Sequence, residues 1–345
     1  MPQFGFSNFV WDQYTKLPPV LTSDLKGKSV IVTGANTGIG LEVAKHFARM
    51  GPARLIIACR NESKAKAAAE EIAKSTSHSA EVQLLDLSGF ESVVSFAKRL
   101  VDEPIDILVA NAAVALGEYV ATTDGWEQTI QVNHLSTALL SFLLVPNLVK
   151  ASKLHDSCSR LVVVSSEVHC WASFDDELMN TNILATLSDK EYCTPERMAH
   201  HYEASKLLNV LFTRAFSHHL SPSYSSSLIP DVVNPGLCVS ELARNAPLAF
   251  KIRIKILHTL FARTAEQGAR QVVWAALGPD GKDGPHVQQT MGGEYVSIAQ
   301  IRQPSDFVVS RTGWEAQEKI WNETIDILSN VEPSVRTIVA EYFNN

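Results

Sequence analysis

The stretch Ser29-Val30-Ile31-Val32-Thr33, followed by Gly34-Ala35-Asn36-Thr37-Gly38-Ile39-Gly40, decides how the chain is read. Its first five residues are mostly β-branched and apolar, the pattern of a buried strand. The glycines that follow permit a tight turn and a close backbone approach. Ile39, Val43, Phe47 and Met50 then recur at helical spacing. A strand, a glycine turn and a helix in this order offer free N–H groups at a helix N-terminus, which suit a pyrophosphate. The spacing is G-x-x-x-G-x-G, not the commoner G-x-G-x-x-G, but the physics is shared. A P-loop ending in Gly27-Lys28-Ser29 fails, because Thr22 stands where its first Gly is needed.

The same rhythm continues outward. Apolar runs at 54–59, 82–85, 105–110, 161–164 and 229–233 read as strands. Helical patterns at 63–74, 90–101, 126–132, 135–148, 201–218 and 265–277 alternate with them. Continuous apolar strands alternating with amphipathic helices predict an α/β domain with a doubly wound parallel sheet, covered on both faces. Ligands of such sheets bind beyond the carboxyl ends of the strands.

Composition agrees with a folded core. The chain has 345 residues, 46% hydrophobic and 19% charged. Thirty Lys and Arg against 37 Asp and Glu give a net charge of −7, with no basic block for nucleic acid. Five scattered cysteines without a C-x-x-C pair predict reduced thiols rather than disulfides or zinc. No basic segment leads into an apolar run near the start, so no secretory signal is expected. The longest apolar stretch, 135–149, is broken by Ser136, Thr137, Ser141, Pro146 and Asn147, and no transmembrane segment is expected. A cytoplasmic protein follows as the expectation.

The strand ends carry the chemistry. The second strand ends at Arg60, with Ser63 and Lys64 one turn on. A guanidinium here suits the 2′-phosphate of NADP, where an acidic residue would suit NAD. The third ends in Asp86-Leu87, placed either to meet an adenine amino group or to cap the next helix. The fourth ends in Asn111-Ala112-Ala113, small residues beside an Asn able to tie neighbouring backbones. The fifth runs into Ser165-Ser166, and the next helix carries Tyr202 and Lys206 at i and i+4, on one face. The sixth ends in the rigid turn Asn234-Pro235-Gly236. The pairs His200-His201 and His218-His219 point to different helix faces and read as packing or surface residues. No metal site is expected.

Together these motifs resemble the short-chain dehydrogenase/reductase superfamily, of the single-domain kind. They are T-G-x-x-x-G-x-G at 33–40, N-A-A at 111–113, Asn133, Ser166, Y-x-x-x-K at 202–206, and the Pro-Gly at 235–236. Ala58-Cys59-Arg60, the Ser-Ser-Glu-Val-His segment and the residues after Lys206 look like the retinol dehydrogenase and WW-domain oxidoreductase branch. The aromatic residues before Lys26 and the tail look more like fungal enzymes that tailor secondary metabolites. The resemblance implies a Rossmann-type, mainly parallel seven-stranded sheet with helices on both faces. The chain divides into an aromatic arm at 1–26, a catalytic domain at 27–297 and a helical extension at 298–345, and the mixed apolar and basic stretch at 237–263 reads as a substrate lid or as a surface or membrane-touching amphipathic helix. Three departures stand out. Ala113 replaces the usual Gly, the segment 167–201 is long, and the membrane anchor of many retinol enzymes is absent, so retinoid activity is not expected.

The resemblance also assigns roles. Asn133, Ser166, Tyr202 and Lys206 form the catalytic set. Cofactor contacts fall on Gly34, Asn36, Thr37, Gly38, Ile39, Arg60, Lys64, Asp86, Leu87, Asn111, Ala112, Tyr202, Lys206, Pro235, Gly236, Val239 and Ser240. Tyr202 exchanges the proton, its pKa of about 10 lowered by the Lys206 ammonium. Ser166 holds the substrate oxygen, and Asn133 holds a water in a relay to Lys206. The activity implied is NADP(H)-dependent hydride transfer to or from a carbonyl or secondary alcohol of an apolar small molecule, in secondary metabolism. A non-redox isomerase or cyclase and a non-catalytic dinucleotide-binding scaffold remain as alternatives. Segments 114–119, 168–192 and 237–261 are the expected substrate contacts. A homodimer is expected through the helix before Pro146 and the helix bearing Tyr202.

Overall fold

A computed structural model of the chain describes residues 5–239, 242, 258–278 and 291–344. The elements run in the order α1 (Phe6–Tyr14), β1 (Ser29–Thr33), α2 (Gly38–Arg49), β2 (Arg54–Cys59), α3 (Glu62–Thr76), β3 (Glu81–Leu84), α4 (Phe90–Arg99) and β4 (Ile107–Ala110). After them come α5 (Ser136–Leu143), α6 (Val145–His155), β5 (Ser159–Val164), α7 (His201–His219), β6 (Leu228–Asn234) and α8 (Ala265–Leu277). The chain closes with β7 (Tyr295–Ser297), β8 (Gln300–Arg302), α9 (Arg311–Val331) and α10 (Ser334–Tyr342). Short helical turns fill the connections.

The sheet order is β3-β2-β1-β4-β5-β6-β7-β8. The first seven strands are parallel, as expected, and β8 adds an antiparallel edge. This eighth strand is a departure from the seven expected. Ile298 and Ala299 both take positive φ to turn the hairpin, at 48° and 55°. That conformation normally calls for Gly or Asn, so the sequence carries no turn signal there.

The order reverses between β1 and β4, and the carboxyl ends of those strands face the crevice. On one face of the sheet α2, α3 and α8 pack on Val30, Val32, Leu55 and Ile57. On the other, α4 to α7 pack on Ile31, Ile56, Leu108 and Val163. The expected helix over 135–148 is broken where Pro146 cannot continue the ladder, and the two arms bend by 46°. Among the described residues, no single helix is long and apolar enough to cross a membrane.

The C-terminal helices share the second core rather than trailing from it. Trp321 of α9 lies 5.4 Å from both Phe142 and Phe343, ring centre to ring centre. Phe343, just past α10, lies 4.8 Å from Phe216. The helices assigned to a homodimer interface, α5 and α7, thus carry the chain's own α9 and α10 against them. Segment 167–201 forms short turns at Glu167–Trp171, Asp176–Met179, Ile183–Ser188 and Pro195–Met198. The buried Glu323 carboxylate pins it to α9 by accepting the amides of Ile183 and Leu184, each at 3.0 Å.

Candidate active site

The β1–α2 turn is shaped by two glycines. Gly34 and Gly38 have φ of 67° and 58°, which other L residues rarely adopt. A Cβ on Gly34 would come within 2.9 Å of the Ala112 backbone, and one on Gly40 within 2.6 Å of the Gly34 carbonyl oxygen. Any side chain there would fill the cradle at the helix N-terminus. Asn111 ties the two central strands together. Its Nδ2 donates to Thr33 O at 2.9 Å, while the amides of Asn111 and Ala112 both donate to Thr33 Oγ1 at 3.0 Å.

The turn opens on a cavity of about 520 Å³ that runs along the strand ends. Gly34, Asn36, Thr37, Gly38 and Ile39, after β1, line its middle. Exposed Arg60 and the Asp86-Leu87 pair, after β2 and β3, line one end, and Asn111 and Ala112, after β4, stand between the glycine turn and the catalytic residues. Asp86 also makes a local turn, accepting the Ser88 amide at 2.9 Å and its hydroxyl at 2.7 Å. Pro235 and Gly236 close the far wall. Two of the expected contacts stand apart: Lys64 is exposed on α3, and Val239 is 55% exposed beyond the turn. Ser240 lies outside the described residues, as do 241 and 243–257 of the expected lid.

Ser166, Tyr202 and Lys206 all reach this cavity. Lys206 Nζ donates to Val164 O at 2.8 Å and to Asn209 Oδ1 at 3.3 Å. It stands 5.6 Å from the centre of the Tyr202 ring. Burial pushes the Lys206 amine down to about 7. Burial also pushes the Tyr202 phenol well up, with Glu203 and Glu167 adding to the rise. The expected lowering of the phenol by the ammonium is therefore not what these side chains show. Desolvation outweighs the charge pair, and the amine's bonds go to β5 and Asn209 instead.

The Asn133 side chain is engaged within the protein. The residue sits in a π-helical turn, Gln131–Leu135, a widening common at functional sites. Its Oδ1 accepts the Val114 amide at 2.8 Å, and its Nδ2 donates to Val114 O and Ser205 Oγ, each at 2.9 Å. The side chain is thus spent on locking the loop after β4 to α7. Its backbone carbonyl accepts Asn209 Nδ2 at 2.7 Å. Asn209 therefore bridges Lys206 and Asn133, a role that sequence reading missed. The available signal was its position, three residues past Lys206 on the buried face of α7.

Glu167 is the second residue missed. It directly follows Ser166 and is buried, with its Oε2 accepting Asn234 Nδ2 at 2.6 Å. Burial raises its carboxyl to about 7. Its other oxygen accepts Gln13 Nε2 at 3.4 Å, so the N-terminal helix reaches the catalytic loop.

A family model described as short chain dehydrogenase matches residues 28–173. The chain is 34% identical over 334 residues to the short chain dehydrogenase/reductase dmxR8 of Cryptosporiopsis sp., covering 95% of this chain and 98% of that protein. It is 39% identical over 277 residues to the short chain dehydrogenase sol3 of Alternaria solani, covering 79% and 93%. A solved short-chain dehydrogenase from Sphingobium yanoikuyae, in complex with NADPH, shares the fold. Its TM-score is 0.52 at 23% identity, over 72% of this chain and 82% of that one.

Proposed function

Because the chain belongs to the short-chain dehydrogenase/reductase family, we propose that it uses NADP(H) to interconvert a carbonyl and a secondary alcohol on an apolar small molecule, in fungal-type secondary metabolism. The observation that carries this reading is the convergence of Ser166, Tyr202 and Lys206 on the cavity that also holds the Gly34–Gly38 turn and Arg60.

The cradle fits a dinucleotide. Positive-φ glycines leave no Cβ in the way, and the amides at the start of α2 suit a pyrophosphate. Arg60 presents a guanidinium where a 2′-phosphate would be held, and no acidic residue stands in its place. When bound, NADP(H) supplies or takes the hydride. Ser166 donates a hydrogen bond to the substrate oxygen as charge develops there. Tyr202 gives its proton to that oxygen in reduction and receives it in oxidation. Lys206, held by Val164 and Asn209, sits beside the Tyr202 ring, and in its charged form it offsets part of the burial that raises the phenol. The apolar wall formed by Leu116, Val168 and Leu237 excludes water and suits an apolar substrate.

The test is NADPH oxidation against a panel of ketones and aldehydes, with each product identified. Stoichiometric alcohol formation supports the reading. Product without net NADPH consumption would instead support the isomerase or cyclase alternative.

A further inference from the structure

The N-terminal helix is joined to the catalytic loop. Arg263, at the foot of α8, donates through Nη2 to the carbonyls of Asp12 and, at 3.1 Å, Thr15. Its Nε donates to Gln13 Oε1 at 3.2 Å, and Gln13 in turn donates to Glu167, the neighbour of Ser166. These bonds fix α1 against the catalytic loop, and Phe9, one turn before Gln13, lines the cavity.

Phe9 is 5% exposed and faces Trp171, its ring centre 6.1 Å away and tilted by 58°. Trp171 ends the short turn that begins just after Ser166, and it lines the same cavity while remaining 48% exposed. Phe6 and Phe261 hold Phe9 from other sides at 5.8 and 6.0 Å. A helix packed merely to cover the domain has no need to place an aromatic ring in the reaction cavity opposite a half-exposed indole. Isolated exposed rings are ordinary, but an aromatic pair lining a concave site marks recognition.

Resting on the hydride-transfer reading above, we propose that Phe9 and Trp171 form an aromatic wall of the cavity that selects planar aromatic ketones or aldehydes over saturated ones. The aliphatic wall buries either class by area alone. Ring edges and faces add a directional attraction only for a flat aromatic guest, about threefold to tenfold in affinity.

The experiment is calorimetric titration of the full chain with 1-tetralone and with its saturated counterpart 1-decalone, both with and without NADP+. Wild type should bind the tetralone about threefold to tenfold more tightly. Phe9→Leu and Trp171→Leu keep apolar bulk and should each bring the ratio to within about twofold, with NADP+ affinity unchanged and the melting temperature lowered by no more than about a few degrees. A wild-type ratio near one, no binding of the tetralone, or a preference that survives Phe9→Leu overturns the proposal. Failure to bind NADP+ strikes the hydride-transfer reading instead, since the ring preference is also measured without it.

Discussion

Lys206 Nζ stands 5.6 Å from the centre of the Tyr202 ring, one turn along the same helix. The i,i+4 spacing brings the two residues together, but it does not aim the amine. Aim comes from Val164 O on β5 and from Asn209 Oδ1. The catalytic pair is therefore a product of tertiary structure as much as of motif.

Asn209 should behave as a positioning residue. Asn209→Leu removes one of the two acceptors of Lys206 and leaves the Asn133 carbonyl without the Asn209 donor, a buried loss of about 1–3 kcal/mol. Steady-state kinetics should show kcat lowered about tenfold to a hundredfold. The pH at which kcat falls should also move, because an acceptor that favours the charged amine is gone. A kcat and pH profile like wild type would remove Asn209 from the site.

Lys206 should be costly to stability. Its folded value of about 7 lies below the ordinary 10.5. Below the folded value the amine is charged in both states, and folding bears the full cost of burying it. Between these two values the unfolded chain binds the proton and the folded chain does not, so stability climbs with pH across that window. Lys206→Met should raise the melting temperature by about a few degrees near pH 6 and flatten the climb. An unchanged pH slope in thermal melts would contradict the assignment.

Arg60 should set the cofactor preference. Replacing its charge with Arg60→Asp should raise the NADPH dissociation constant by about tenfold to a hundredfold while leaving NADH near its wild-type value. Fluorescence titration with both nucleotides measures this directly. An unchanged NADPH constant would leave the 2′-phosphate without its proposed partner.

The parts legible in sequence were those set by local pattern. Ser29–Thr33 and the glycines after it announced the strand, the turn and the ligand crevice, because apolar period and Gly chemistry act over a few residues. Tyr202 and Lys206 were legible for the same reason. What was hidden depends on contacts distant in sequence. Glu167 meets Gln13 and Asn234, and Asn209 meets Asn133, and no spacing rule connects such partners. The left-handed turn at Ile298 and Ala299 was hidden because its residues argue against it. The lowered Lys206 and raised Tyr202 follow from burial, which a motif does not report.

The proton-transfer role of Tyr202 is tested most directly by Tyr202→Phe, which deletes one oxygen and keeps the ring beside Lys206. NADPH oxidation with a ketone that the wild type reduces, paired with NADPH titration, should show turnover lowered by about 10² to 10⁴ and a dissociation constant within about twofold. Turnover near wild type would contradict the account.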